Sequence, residues 1–153
     1  MAKGKGWILL CLVALLAGCE SPFSSNEYFL LARGQHRWAS RGFIDYSIES
    51  RQSCFCPPEV GEWARLDVVG GRIHKVVLLR TGEVITDGRR LYWITVEQLF
   101  DAILEAGDDA ELEDVDFSLD QDLGFPTFVR WVYSSNVLDA GGTHSFRNAA
   151  LLR

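Results

Sequence analysis

The chain has 153 residues, 48% of them hydrophobic and 24% charged, with a formal net charge of -6. That is apolar material for one globular domain and too little for two sizeable ones. The acidic balance, with a pI near 5.0, leaves no electrostatic footprint for nucleic acid, which is set aside as a partner. Residues 1–18 have the layout of an export signal rather than of a fold: Lys3 and Lys5, an apolar stretch from Trp7 to Leu16, then small residues. About ten apolar residues at ~1.5 Å each make a helix of roughly 15 Å, half of the ~30 Å hydrocarbon core, which disfavours a permanent span.

The signal ends in Leu16-Ala17-Gly18-Cys19, which resembles the lipobox of bacterial lipoproteins. The resemblance implies cleavage before Cys19, acylation of its thiol and new amino group, and a mature chain of residues 19–153. It also implies the membrane as a partner through the lipid at Cys19. The expected location is the bacterial cell envelope, on the extracytoplasmic side of the cell membrane or the outer membrane. One acyl chain, at ~0.8 kcal/mol per buried methylene, anchors only marginally, so a multiply acylated cysteine is what would hold the protein there. Glu20 stands where an aspartate commonly retains lipoproteins at the inner membrane, so outer-membrane sorting stays open. Residues 19–23 read as a short tether; about five residues at ~3.4 Å each reach at most ~17 Å, which keeps the domain close to the lipid.

Ser24 and Glu27 have capping-box spacing, with Phe23 and Tyr28 placed as a hydrophobic staple, and predict a helix to about Ser40. Tyr28, Leu31, Ala32, Trp38 and Ala39 fall on its apolar side. Phe43 to Arg51 alternates, with Ile44, Tyr46 and Ile48 on one face, and reads as a strand. Trp63–Val69 and Arg72–Leu79, separated by Gly70-Gly71, read as a hairpin. Thr95 and Gln98 repeat the capping box, and Val96, Leu99, Phe100 and Ile103 form the core stripe of a second helix that Gly107 ends. Leu112–Leu119 and Thr127–Tyr133 read as two further strands, while 134–153, rich in Gly, Ser, Asn and Ala, is expected to be a loosely held tail. The order α-β-β-β-α-β-β predicts a single α+β domain over residues 24–133, its antiparallel sheet packed against helices.

The run Ser53-Cys54-Phe55-Cys56-Pro57-Pro58-Glu59, the Gly-Gly hairpin, the Thr95 helix start and Asp122-Leu123-Gly124-Phe125-Pro126 together resemble an uncharacterised bacterial family. It is a domain of unknown function, number six-one-seven-four in that series. The resemblance covers most of the mature domain and implies no activity and no functional residue.

After export Cys11 leaves with the signal and Cys19 carries lipid, so Cys54 and Cys56 are the remaining thiols. Two residues apart on an extended strand, their side chains share a face at a Cα separation near the upper limit for a disulfide. Pro57 and Pro58 make the necessary bend feasible. Three states stay open: a strained, reducible bridge, ordinary thiols, or a metal or redox centre completed by His36, His74 or His144.

Asp120-Gln121-Asp122-Leu123-Gly124 hints at a calcium loop with Asp120 and Asp122 as ligands, although the other acids of an EF-hand are missing. From Leu91 to Val129 there are eleven acids and no Lys or Arg. Glu97, Asp101 and Glu105 recur every four residues, which predicts a solvated helix face, with a divalent cation or a basic partner as the functional alternatives. Arg33, Arg37 and Arg41 share the same spacing near the anchor, as a solvated stripe or a contact for lipid head groups. Trp38, Trp63, Trp93 and Trp131 are expected in the core.

There is no G-x-S-x-G elbow, H-E-x-x-H helix, phosphate loop or dinucleotide fingerprint. The expectation is a non-catalytic, lipid-anchored binding module of the envelope with a protein or envelope component as partner and no cofactor. The alternative is a metal-binding or thiol-redox module using Cys54 and Cys56.

Overall fold

The computed structural model describes residues 23–107, 109, 111–134 and 141–152. The export signal, the lipobox with Cys19, nearly all of the tether and Asp108 lie outside the described residues.

Two capping boxes set the helices. The Ser24 hydroxyl accepts from the Glu27 amide while the Glu27 carboxylate accepts from the Ser24 amide, opening α1 (Ser25–Ser40). The Ser24 hydroxyl also donates to the Glu27 carboxylate at 2.7 Å, and that bond, with the one from the Ser24 amide, holds the Glu27 carboxyl below its usual range. Phe23 meets Tyr28 edge-on at 6.0 Å between ring centroids. Thr95 and Gln98 make the same reciprocal pair at the start of α2 (Val96–Ala106), whose stripe Val96, Leu99, Phe100 and Ile103 is fully buried.

The strands are β1 (Tyr46–Ser53), β2 (Ala64–Val69), β3 (Arg72–Leu78), β4 (Val84–Ile85), β5 (Leu112–Leu119), β6 (Pro126–Tyr133) and β7 (Gly142–Leu151). They form one antiparallel sheet in the order β4-β3-β2-β1-β7-β6-β5, so the α+β class read from the element order is the architecture found. Gly70 and Gly71, at φ 56° and 73°, supply the two left-handed residues that a two-residue hairpin requires. In β1 Tyr46, Ile48 and Ser50 are buried and alternate with half-buried neighbours. Both helices cover this face: Tyr46 lies edge-on to Trp38 of α1 and accepts from the Val96 amide of α2. The opposite face bears the charged pairs Glu49–Arg147, Asp67–Arg65 and Asp116–Arg130. Among the described residues no helix is long and apolar enough to cross a membrane.

The largest correction concerns the expected tail. Residues 142–151 form β7, which lies between β1 and β6 and joins the β1–β4 meander to the β5–β6 hairpin within the sheet. Its alternation, with His144 and Phe146 buried, is short and is broken by a bulge at which Asn148 takes φ 55°. Composition outweighed that weak period in the sequence. In α1 the inward side is Leu31, Gly34 and Trp38, whereas Tyr28, Ala32 and Ala39 face outward. Ile44 likewise precedes β1 and is exposed.

Candidate functional site

β1 runs out at Ser53 into Cys54-Phe55-Cys56, and the two sulfurs are bonded to each other with Cα atoms 5.2 Å apart. That separation is well inside the range a disulfide spans, because the chain bends here instead of continuing as a strand. Pro57 and Pro58 lead directly into a 3-10 turn, Pro58–Gly61. Of the three states left open by the spacing, the structure holds the bridge. The sulfurs are thereby unavailable as thiolate ligands.

Beside the cystine lies a cleft of about 470 Å³. Gln52 comes from the end of β1 and Cys54 from the bend after it, Glu105 and Asp109 from the C-terminal half of α2 and beyond, and Trp131 and Tyr133 from β6. The start of β7 closes the floor at Gly141 and Gly142. A Cβ on Gly142 would lie 2.5 Å from the Ser53 carbonyl oxygen, so only glycine lets β7 approach the cystine so closely. Trp131, expected as core, is half-buried: it packs against the core and also lines the cleft.

Behind the cleft, in the core, Ser50 Oγ and His144 Nε2 share a hydrogen bond of 3.0 Å. Both residues are buried, and burial pushes the His144 imidazole down to about 3, so the pair is neutral. Neither reaches solvent. The pairing went unseen in the sequence because the two residues lie on strands joined only through the sheet.

Nearer the start of β1 sits a second polar node. Glu97 of α2 accepts from Trp38 Nε1 at 2.7 Å and from the Tyr46 hydroxyl at 2.8 Å. Burial, and then the Glu97 charge, raise the Tyr46 phenol well above its ordinary value. Glu97 therefore does not belong to a fully solvated stripe with Asp101 and Glu105: it is half-buried and serves as the acceptor for two donors from buried residues.

Asp120 and Asp122 were candidate cation ligands. Asp120 Oδ1 accepts from the Asp122 and Leu123 amides at 3.0 and 2.7 Å, which makes a tight turn. The turn's carbonyls receive guanidinium groups: Arg37 donates to Gln121 O and Arg41 to Asp122 O. Gly34 and Gly124 allow this contact, since a Cβ on Gly124 would lie 2.5 Å from the Gly34 oxygen. The loop is thus a seat for α1. Two of the three stripe arginines are used there, and Arg33 stands over Phe29. His36 is exposed on α1, and His74 is exposed where the β2–β3 register shifts. Among the described residues no group of three or more His, Cys, Asp or Glu gathers to hold a metal.

The other tryptophans divide. Trp38 and Trp93 are buried, while Trp63 packs on the outer face under Arg147, whose Cζ is 3.8 Å from the ring centroid. Trp93 borders a smaller cavity of about 390 Å³ with Arg72 and Arg90, and its Nε1 has no hydrogen-bond partner among the described residues.

Comparison with protein families finds a match over residues 30–150, to a family of unknown function (DUF6174). The match includes both cysteines of the bridge and all of β7 but its last residue. No curated protein and no solved structure matches the chain.

Proposed function

The chain belongs to this family of unknown function, DUF6174, and we propose that it is a lipid-anchored lipoprotein of the bacterial cell envelope whose domain is a non-catalytic binding module. The observation that carries the reading is Leu16-Ala17-Gly18-Cys19 at the end of an export signal. Acylation at Cys19 places the domain on the extracytoplasmic side, within a short tether of the bilayer. A cystine at Cys54–Cys56 supports that address, because disulfides persist in oxidising compartments and are rare in the cytosol. The cleft beside it supports binding: it is concave, partly aromatic through Trp131 and Tyr133, and carries polar and acidic groups at its edge.

The test is direct. Palmitate label is expected in the wild-type chain and absent from Cys19→Ser, and the acylated chain is expected to float with membranes. Label missing from a chain that keeps residues 1–18 and stays in the soluble fraction overturns the anchor. For the module, crosslinking of whole envelopes is expected to recover one reproducible partner, lost on Trp131→Ala; recovery independent of that residue moves binding elsewhere.

The alternative based on Cys54 and Cys56 divides in two. A metal site needs both sulfurs as thiolates, which the bridge withholds. Thiol-redox chemistry needs the bridge itself, and the exposed position of Cys54 favours that half.

A further inference from the structure

The cystine encloses one residue, Phe55. A bridge across so short a loop removes little chain entropy from the unfolded state, so it stabilises far less than one across a long loop. It adds only at the margin of the core: Cys56 is half-buried and packs against it, while Cys54 is exposed and Phe55 91% exposed at the tip. Exposed disulfides and those in strained short rings are the ones that exchange readily with thiols.

The support behind the bridge is nonetheless close-fitting. Gly142 of β7 abuts the Ser53 backbone, Gln52 donates to the Tyr92 carbonyl at 2.7 Å, and Pro57 and Pro58 restrict the chain on the far side. A bridge with little structural value is therefore held at a defined place on the rim of a cleft. The cleft's charged lining residues, among those described, are the acids Glu105 and Asp109. Their field repels an anionic thiol such as glutathione and attracts a basic polypeptide.

We infer that Cys54–Cys56 is a thiol–disulfide exchange site whose reductant is the dithiol of a basic polypeptide segment lying in the cleft. The inference rests on the cleft being the binding site and names the chemistry of its partner. A thiolate of the partner attacks Sγ of Cys54, the more exposed residue of the pair, and a new S–S bond forms as the Cys54–Cys56 bond breaks. The electron pair leaves on Cys56 Sγ, which takes a proton from water. The partner's second thiolate then attacks the partner sulfur of the mixed disulfide and releases Cys54 as a thiolate, which is protonated in turn. The partner is oxidised by two electrons to its own disulfide, and the domain ends as a dithiol.

The experiment uses the full acylated chain in its oxidised form and two synthetic peptides bearing the same C-x-x-C dithiol, one flanked by lysines and one by glutamates. Alkylation and mass spectrometry follow the bridge. At low salt the lysine peptide is expected to reduce it about tenfold faster, and either added salt or Glu105→Gln with Asp109→Asn is expected to bring the two rates together. A lysine peptide with a single cysteine is expected to leave its adduct on Cys54. Equal rates for the two peptides, a bridge that survives an excess of both, or an adduct on Cys56 overturns the inference. A lysine peptide with both cysteines replaced by serine separates the two levels. If it binds and its dithiol form does not exchange, the exchange site fails alone. If it does not bind, the cleft fails as a binding site and the inference fails with it.

Discussion

At Tyr46 the first strand of the sheet is tied to both helices, and at Ser53 the same strand opens onto a cleft and an exposed cystine. The Tyr46 end uses one carboxylate to satisfy an indole and a phenol from different elements, under the rings of Trp38, Phe43 and Phe125. The middle of the strand uses a neutral pair, Ser50 and His144. The far end has polar and aromatic groups that face solvent. Polar residues along one strand thus serve three purposes, and what separates them is the depth of cover: partial at the Glu97 node, full at the neutral Ser50–His144 pair, least at the exposed Cys54.

The largest effect is expected where one carboxylate holds two donors. Glu97→Ala strands the donors of the buried Trp38 and Tyr46, for a loss of about 3–5 kcal/mol. Tyr46→Phe leaves the Trp38 indole satisfied but removes the acceptor of the buried Val96 amide, so it should cost about 1–3 kcal/mol. Urea unfolding of both variants measures the gap; equal losses would mean that Glu97 is not the shared acceptor.

The neutral pair should reveal itself through pH. His144 titrates near 6.5 when unfolded and at about 3 when folded, so between those values the unfolded chain binds the extra proton. Stability is fully present above about pH 6.5 and falls with acidification, by about 1.4 kcal/mol per unit, until the folded group also protonates. Its register neighbours, Gln52 on β1 and Val129 on β6, and its hydrogen-bond partner Ser50 are uncharged. Unfolding midpoints from pH 7 to pH 5 should slope accordingly in the wild type and flatten in His144→Gln. A wild-type profile already flat over that window would place the imidazole in contact with water.

The smallest effect is expected at the cystine. Replacing Cys54 and Cys56 together with serine should cost no more than roughly 1–2 kcal/mol, the loop-closure value for so few residues. A loss comparable to that of Glu97→Ala would make the bridge a structural staple and remove the contrast between the two ends of β1.

Local chemistry was legible in the sequence. Ser24–Glu27 and Thr95–Gln98 act within a single turn, and Gly70-Gly71 acts within a two-residue loop, so each could be read without knowing the fold. The stripe of α2 was equally plain, because its period is carried by four strongly apolar residues. The candidate site was legible only in part. The C-x-C pair identified the place, yet Trp131, Tyr133 and Gly142 reach it from strands distant in sequence. Gly141-Gly142 followed by the alternating His144 and Phe146 was a signal of β7, too short to outweigh the composition around it.

The export layout, the lipobox and the beginnings and ends of the helices follow from residues close together in the chain, where backbone hydrogen bonding and hydrophobic period act over a few positions. The insertion of the last strand between β1 and β6, the inward turn of Glu97 and the closing of Cys54 onto Cys56 were decided by tertiary structure. The reason is physical: a buried donor, an unpaired strand edge or a bend at the end of β1 selects its partner by what is near in space, and spacing along the chain does not encode that.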